Sequence, residues 1–215
     1  MPLSSPLLEA RSLAARRGYA TLFQGVSFAL VAGGVLAVSG PNGCGKTTLL
    51  RMLAGLAAPA EGEILLGGTR VHPFDPRLRD AVAFNGHLPA LKDELTAIEN
   101  LAAWTTLENE RADLQGIDRA LDRVALGKRS RIPARALSQG QRRRIGLARL
   151  ALSPRRLWIL DEPLTALDGD GVDVLEALLA AQLDGGGIVV AASHQALPVA
   201  AERLHRLDLA LAHHR

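Results

Sequence analysis

Residues Gly40–Thr48 restrict the possible folds of this chain of 215 residues more than any other stretch, because they fit the pattern G-x-x-x-x-G-K-[ST]. The apolar run Val35–Val38 precedes them and is typical of a buried parallel strand, and Leu49–Leu53 follows with helical character. In a strand–loop–helix of this kind, glycines let backbone N–H groups converge on an anion at the helix N-terminus. The sequence therefore predicts a phosphate-binding loop within an α/β fold.

The residue types in this loop also predict how a nucleotide is held. Lys46 has the length to reach the β- and γ-phosphates, and the hydroxyl of Thr47 offers an oxygen ligand to Mg²⁺. An accidental glycine-rich turn is the alternative, but lysine is scarce in this chain and stands in the required place. The residues predicted to contact nucleotide are Gly40, Pro41, Asn42, Gly43, Cys44, Gly45, Lys46, Thr47 and Thr48.

Polar residues follow two further apolar strands. Asp161 ends the run Leu157–Leu160, where a phosphate-loop ATPase needs a second support for Mg²⁺. Glu162 comes next and points to the opposite side, so it is the candidate general base that polarises the attacking water. His194 follows the run Ile188–Ala192 and is a candidate contact of the γ-phosphate or of Glu162. Solubilising carboxylates and an ordinary surface histidine are the alternatives.

Composition narrows the class of protein. At 48% hydrophobic residues the chain is able to bury a full core, and its net charge of +3 comes without a long basic block, which gives little support for nucleic-acid binding. Its single cysteine, Cys44, excludes an intramolecular disulfide framework and favours a reducing compartment. Residues 1–10 lack the order of a signal peptide and no run of 18 apolar residues occurs, so we expect neither export by that route nor a membrane span.

The periodicity of the sequence places further elements around the loop. Leu7–Ala14 and Gln24–Leu30 predict two strands of a small antiparallel sheet, joined by a turn in which Arg17 or Tyr19 is placed to stack on a nucleobase. A surface turn without that role is the alternative. We predict no helix in the seventies, because Pro73 and Pro76 interrupt the chain there.

Helical patterns occupy the middle of the chain and predict a separate helical lobe. They run over Leu95–Glu110 and Asp113–Leu126, and the first begins with a capping box of Thr96 and Glu99. A second capping box, Ser138–Gln141, opens a later helix that Pro154 ends. We predict that the arginines of this helix lie on or beside its solvent face: Arg142, Arg143, Arg144 and Arg149. A polyanion-binding site is the alternative.

Five segments, in this order and spacing, resemble the motifs of the ATP-binding subunit of an ABC transporter, and the resemblance spans almost the whole chain. They are Gly40–Thr48, Leu137–Gln141, Leu157–Glu162, Ala166–Asp168 and His194. The resemblance implies the α/β fold of a P-loop NTPase, namely an ABC-type ATPase core with a small antiparallel β-subdomain and an inserted helical subdomain. It assigns residues 1–86 and 153–215 to the core and residues 87–152 to the helical subdomain.

The same resemblance implies a site made by two chains. Ser138–Gln141 matches the LSGGQ signature of the family, with Gln139 in place of the first glycine. In that family two cassettes pair head to tail, and the signature of one copy closes over the ATP that the other copy holds. Ser138, Gly140 and Gln141 would then contact the nucleotide of the second copy, and Asp168 would lie at the dimer interface. ATP drives closure, and hydrolysis reopens the dimer.

Two positions depart from the family pattern. His87 stands where these cassettes carry the glutamine of the Q-loop, and an imidazole there can still contact Mg²⁺ or its water. At the turn that stacks on adenine, the usual aromatic position aligns with Arg17, and Tyr19 lies two residues later. Which of the two stacks on adenine stays open.

The segment Gly86–Leu101 resembles the cassettes of cytochrome c maturation, which are ATP-binding subunits of a haem exporter. This resemblance implies a permease in the inner membrane, a peripheral position on its cytoplasmic face, and a coupling surface within His87–Trp104. ATP turnover would then serve haem export or release of a haem chaperone. Another small importer or exporter cassette is one alternative. A soluble ABC ATPase acting on nucleic acid or ribosomes is the other, but such proteins usually have two cassettes or a coiled-coil insertion. No nucleic-acid partner is expected.

Overall fold

The computed structural model describes residues 7–108 and 113–213. The chain divides into two compact units, of which the first comprises Met1–Gly86, Arg155–Pro163 and Leu179–Arg215, and the second His87–Pro154 and Leu164–Leu178. The division predicted from the sequence also separates residues 86 and 87, but it assigned residues 164–178 to the core. Asp168 of this segment forms an ion pair with Arg144 of the helical unit.

The first unit holds the strands of two sheets and two short helices. In chain order these elements are β1 (Leu8–Arg17), β2 (Ala20–Leu30), β3 (Val35–Ser39), α1 (Lys46–Leu53), β4 (Glu61–Leu66), β5 (Thr69–Val71), α2 (Pro76–Ala81), β6 (Val82–Asn85), β7 (Leu157–Asp161), β8 (Ile188–Ala192) and β9 (Leu204–Asp208).

Among the described residues, β2, β1, β4 and β5 form an antiparallel sheet in that order. The small antiparallel sheet predicted from the sequence is therefore confirmed. Both of its first two strands run further than predicted, and they meet in a tight turn at Gly18 and Tyr19, where Gly18 has a φ of 59°. This hairpin carries the two candidates for base stacking.

The second sheet is parallel and has the order β6, β7, β8, β3, β9. Parallel strands end at one edge of a sheet, so the loops after β3, β7 and β8 leave the sheet side by side. These loops begin at Gly40, Glu162 and Ser193. The sheet thus brings together segments that lie more than 100 residues apart in the sequence.

Buried apolar side chains from both sheets and α1 form the core of the first unit. Phe23 of β2, Leu36 of β3, Leu49 of α1 and Ile159 of β7 are all at most 2% exposed. Burial of such a side chain contributes about 1.5–3 kcal/mol. The phosphate-binding loop therefore stands on a firmly packed strand and helix.

Helix α2 contradicts the prediction that Pro73 and Pro76 exclude helix from this region. Pro76 is the first residue of the helix, a position that needs no N–H donor and suits the fixed φ of proline. Asp75 caps the helix and accepts a hydrogen bond from the backbone N–H of Arg77 at 2.9 Å. The Arg77 side chain also bonds this carboxylate and is the main reason that the pKa of Asp75 falls to about 2.

The second unit is helical. Its helices are α3 (Ala97–Leu107), α4 (Leu114–Arg123) and α5 (Gln139–Leu152), and α6 (Gly169–Asp184) begins in this unit and ends in the first. Both predicted capping boxes are confirmed, at Thr96 for α3 and at Ser138 for α5. The predicted end of the first helix at Glu110 lies outside the described residues. Leu101, Ile117 and Ile145 are fully buried, so α3, α4 and α5 pack on one another.

The prediction that the arginines of α5 lie on or beside its solvent face is wrong for Arg143 and Arg144, whereas Arg142 and Arg149 are half-buried. Arg143 and Arg144 are only 3% and 6% exposed. Arg143 donates to the backbone carbonyl of His87 at 2.8 Å, Arg142 pairs with Asp93, and Arg149 donates to the carbonyl of Ala90. Burial lowers the pKa of Arg149. Arg142, Arg143 and Arg149 thus join α5 to the loop that precedes α3. A pattern of charges along one helix does not reveal such contacts.

Asn100 fixes the segment that leads into α3. It is 4% exposed, its amide donates to the carbonyls of Lys92, Leu95 and Thr96 at 3.0–3.1 Å, and its oxygen accepts from the N–H of Lys92 at 2.8 Å. We expect Asn100→Ala to lower the free energy of unfolding by about 2–4 kcal/mol, because buried backbone groups lose their partners. Urea denaturation measures this change.

A matched control for this prediction lies on the same helix. Thr106 is exposed and its hydroxyl donates only to the carbonyl of Ala102, so Thr106→Ala should change the free energy of unfolding by less than about 0.5 kcal/mol. Equal effects of the two substitutions would show that the Asn100 network does not stabilise the unit.

None of the helices formed by the described residues combines the length and the apolar character that a helix needs to cross a bilayer.

Candidate nucleotide site

The loop between β3 and α1 has the backbone that an anion site requires. Gly40, Gly43 and Gly45 have φ angles of 139°, 84° and 103°, which other residues rarely adopt. A Cβ at Gly45 would also lie 3.0 Å from the ring of Phe23. Gly45 caps α1 without a side-chain hydrogen bond, so the first N–H groups of the helix have no side-chain cap. The sequence prediction of strand, loop and helix is confirmed.

Lys46 folds back over this loop. Its ammonium donates to the carbonyls of Gly40 at 2.7 Å and Pro41 at 3.2 Å, and the residue is 9% exposed. A buried ammonium needs such partners because it leaves water. The charge is therefore held beside the converging N–H groups, where it complements a bound phosphate.

Thr47 and Asp161 are brought together as predicted, although 114 positions separate them in the sequence. The Thr47 hydroxyl donates to the Asp161 carboxylate at 2.9 Å, and Asp161 is 4% exposed at the end of β7. A hydroxyl and a carboxylate oxygen are ligands that suit Mg²⁺, which usually combines one or two carboxylates with phosphates of the substrate. The described residues hold no group of three acidic, histidine or cysteine side chains for a metal. The pair thus fits Mg²⁺ that is bound together with a nucleotide.

Glu162 and His194 lie beside Lys46. The Nε2 atom of His194 is 3.5 Å from a carboxylate oxygen of Glu162, 3.3 Å from the Lys46 ammonium and 3.2 Å from the Asn42 side-chain oxygen. Glu162 has a φ of 51°, and its N–H donates to the carbonyl of Ala192 at 2.9 Å. Such strain is common where a side chain is aimed at a ligand. His194 is therefore close to both groups that the sequence suggested, the phosphate site and Glu162.

A cavity of about 430 Å³ adjoins the phosphate-binding loop. Arg17 and Tyr19 are both exposed and neither lines it. Arg17 pairs with Ala20 across the hairpin, and paired residues project from the same face of a sheet, so its side chain emerges beside the cavity wall. The choice between Arg17 and Tyr19 stays a prediction. The wall consists of Ala20, Thr21, Leu22, Pro41, Asn42, Gly43, Cys44, Leu209 and Ala210.

In the second unit, the segment Ser138–Gln141 forms the first turn of α5. The Gln141 N–H donates to the Ser138 hydroxyl oxygen at 3.2 Å, and the Gln141 side chain accepts from the Ser138 N–H at 3.0 Å. A Cβ at Gly140 would lie 2.9 Å from the carbonyl of Ala166. The helix terminus is thus ordered within its own unit and closely approached by the segment that leads to Asp168.

Asp168 is held by two donors. Its carboxylate accepts hydrogen bonds from the buried Arg144 and from the N–H of Gly171 at 3.0 Å, and the bond from Arg144 is the largest reason that the pKa of Asp168 is lowered. Ala166 two residues earlier has a φ of 63°. Sequence reasoning missed Arg144, because Arg142 and Arg143 beside it carry the same charge and no local signal separates them.

His87 is exposed in the second unit. Its backbone carbonyl accepts a hydrogen bond from Arg143. The predicted contact of its side chain with Mg²⁺ or a metal-bound water stays a prediction.

A comparison with protein-family models decides the family. The model described as ABC transporter matches residues 23–165, which include the phosphate-binding loop, the Ser138–Gln141 turn and the Asp161–Glu162 pair. The chain belongs to the ABC transporter family. The chain is the ATP-binding subunit of an ABC transporter and is an ATPase coupled to transport. Such subunits act as dimers together with a membrane permease.

Relatives within this family match nearly the whole chain. A Nitrosospira multiformis protein named cytochrome c biogenesis ATP-binding export protein CcmA is 47% identical over 95% of this chain and 99% of its own length. A Pseudomonas putida protein of the same name is 47% identical over 88% of this chain and 90% of its own length. The match covers at least 90% of each relative.

Solved structures agree on the fold of the family. The chain cbiO1 from Clostridium perfringens, part of the ABC transporter complex cbiONQ, has a TM-score of 0.75 over 89% of this chain and 80% of that chain. The sequence identity is 24%, so this likeness concerns the fold alone. The fold predicted from the sequence, an ABC-type ATPase core with a β-subdomain and a helical subdomain, is confirmed.

Proposed function

We propose that two copies of the chain enclose ATP and hydrolyse it to drive transport in cytochrome c maturation. The observation that carries the catalytic part is the position of His194 beside the phosphate-binding loop, within 3.5 Å of both the Lys46 ammonium and the Glu162 carboxylate. A cation, a carboxylate and an imidazole in that place suit hydrolysis of a phosphate anhydride.

Binding of ATP begins at residues Gly40–Thr48. The N–H groups of the loop and of α1 bind the phosphates, and the Lys46 ammonium exchanges the carbonyls of Gly40 and Pro41 for phosphate oxygens. Thr47 and Asp161 would hold Mg²⁺, which neutralises phosphate charge when bound. His87 would be a further ligand of the metal or of its water. Arg17 or Tyr19 stacks on the base.

Hydrolysis depends on Glu162 as general base. Its carboxylate accepts a proton from the attacking water, which strengthens the nucleophile. His194 orients Glu162 and contacts the γ-phosphate from the end of β8. Lys46 stabilises the charge that develops on the transferred phosphoryl group.

The second copy completes the site. Ser138, Gly140 and Gln141 at the N-terminus of its α5 approach the γ-phosphate, where a helix terminus favours an anion. Asp168 lies at the interface between the copies, held as an anion by Arg144. The phosphate-binding loop of one chain alone therefore binds ATP but hydrolyses it poorly.

The transport role follows from the relatives. Proteins named for cytochrome c biogenesis and export share 47% of their residues with this chain over almost its full length. We infer that the chain sits peripherally on the cytoplasmic face of the inner membrane and contacts a permease through residues within His87–Trp104. Its ATP turnover serves haem export or release of a haem chaperone.

Deletion of the gene tests this role. We expect covalent haem attachment to c-type cytochromes to stop, as measured by haem staining of denatured proteins, and a plasmid copy of the wild-type gene to restore it. A plasmid copy carrying Glu162→Gln should not restore it. Cytochromes of the b type, which bind haem without a covalent bond, serve as the control and should stay at normal levels.

Normal c-type cytochromes in the deletion strain would reject the role in cytochrome maturation. The ATPase proposal would stand in that case, and the chain would then serve as the cassette of another importer or exporter.

A further inference from the structure

Charge is distributed unevenly along the second unit. Residues 123–154 contain nine of the chain's 25 basic residues and none of its 22 acidic residues. The longest contiguous run of basic residues in this region is Arg142–Arg144 on α5. The uneven charge of this region thus results from its lack of Asp and Glu as well as from its basic residues.

The nine cations fall into two groups. The four on α5 have partners within their unit: Arg142 pairs with Asp93, Arg144 with Asp168, and Arg143 and Arg149 donate to backbone carbonyls. The other five precede α5 and are exposed; we call them the basic loop. They are Arg123, Lys128, Arg129, Arg131 and Arg135. Within the described part of the chain, no carboxylate forms an ion pair with any of them.

The backbone under the basic loop is fixed. Ala134 donates to the carbonyl of Leu95 at 2.8 Å, Arg135 to that of Asp93 at 3.0 Å, and the N–H of Ile98 donates to Ser130 at 3.1 Å. These bonds join the loop to the segment that enters α3. The five basic residues therefore lie within or next to a segment whose backbone is anchored, where an external anion can compensate their charge.

The sequence of the region narrows the anion. Residues 123–154 contain no aromatic side chain on which a nucleobase could stack, which argues against single-stranded nucleic acid. Clusters of four to eight basic residues beside a membrane bind anionic lipids, and the family of this chain works with a membrane permease. The basic loop also borders the segment His87–Trp104, which we propose to face that permease.

We propose that the basic loop binds the anionic phospholipid headgroups of the membrane beside the permease. This inference rests on the proposed position of the chain at the membrane, but not on its ATPase chemistry. Lipid phosphates supply the countercharge that these five exposed side chains do not receive from ion pairs within the described part of the chain. The contact holds the second unit against the bilayer surface.

Co-sedimentation of the full chain with vesicles tests the proposal. The wild-type chain should bind vesicles of 30% phosphatidylglycerol in phosphatidylcholine, and raised salt should release it. The triple variant Lys128→Gln, Arg129→Gln, Arg131→Gln should bind about 100-fold more weakly, since each charge near the surface contributes about fivefold. Its ATP hydrolysis should be unchanged, because these side chains are not among the residues that we assign to the nucleotide.

A control variant removes the same charge elsewhere. Arg51→Gln, Arg70→Gln, Arg206→Gln changes three exposed arginines of the first unit and should bind the vesicles as the wild-type chain does. Equal losses in both variants, wild-type binding by the loop variant, or equal binding to pure phosphatidylcholine would each overturn the proposal. The proposal would also be overturned if the loop variant still bound vesicles but no longer assembled with the permease in detergent, since the loop would then bind a protein. If the loop variant lost oligonucleotide binding but kept vesicle binding, the basic loop would be a nucleic-acid site and the proposal would be wrong.

Discussion

Replacement of Glu162 by glutamine should lower the rate of ATP hydrolysis about 1,000-fold and leave ATP binding intact. General-base catalysis contributes about 100- to 10,000-fold to a rate, and an amide of the same shape cannot accept the proton of water. The substitution preserves the neighbourhood of His194, which lies 3.5 Å from the Glu162 carboxylate. Phosphate release measures turnover, and equilibrium binding of labelled ATP measures affinity.

Glu202→Gln is a matched control, because it removes an exposed carboxylate of the same unit away from the phosphate-binding loop. It should retain the wild-type rate. Hydrolysis by Glu162→Gln at that same rate would remove Glu162 from the role of general base.

Replacement of Lys46 by alanine should weaken ATP binding about 10- to 100-fold. A charge-assisted hydrogen bond contributes about 1.5–3 kcal/mol, and the ammonium of Lys46 is the buried cation beside the loop. Hydrolysis should fall further than binding does, because the charge that develops in the transition state loses the same partner. Titration of fluorescent ATP measures the affinity.

Lys92→Ala serves as the control for this experiment, since Lys92 is an exposed lysine of the second unit and only its backbone takes part in the Asn100 network. Its affinity for ATP should match that of the wild-type chain. Unaltered affinity of the Lys46→Ala variant would reject the assignment of this loop to the phosphates.

Local patterns predicted the elements that position the site. The glycine loop fixed the order of strand and helix because only glycine tolerates its φ angles, and short apolar runs placed Asp161 and His194 at strand ends. Parallel strands end at one edge of a sheet, so the topology explains why Asp161 and His194 lie near the phosphate-binding loop. The capping boxes were equally predictable, because each one depends on residues only three positions apart.

Features set by tertiary contacts were not predictable. Pro76 was interpreted as a helix breaker, but proline also starts helices, and the capping by Asp75 decided the outcome. The arginines of α5 have the same local sequence signal whether they face solvent or a neighbouring loop, and their partners lie up to 59 positions away. Strand β9 carries half-exposed, charged residues at the edge of its sheet, so it lacks the apolar run that revealed β7 and β8.

The roles proposed for His87 and for Arg17 or Tyr19, where the chain departs from the family pattern, stay predictions. His87 lies in the second unit, whereas Thr47 and Asp161 belong to the first. Arg17 and Tyr19 emerge from the hairpin turn without lining the neighbouring cavity. These side chains are exposed, and each of their predicted roles is a contact with a bound nucleotide or its metal. The sequence alone does not show which exposed side chain makes such a contact.

The central claim is that ATP binds between two copies, and the mass of the ATP-bound particle tests it most directly. Light scattering on the Glu162→Gln variant with ATP should give twice the 22.8 kDa mass of one chain. Addition of Ser138→Asp, which keeps the helix cap but repels a phosphate, should leave single chains that still bind ATP. Single chains of the Glu162→Gln variant saturated with ATP would contradict the account.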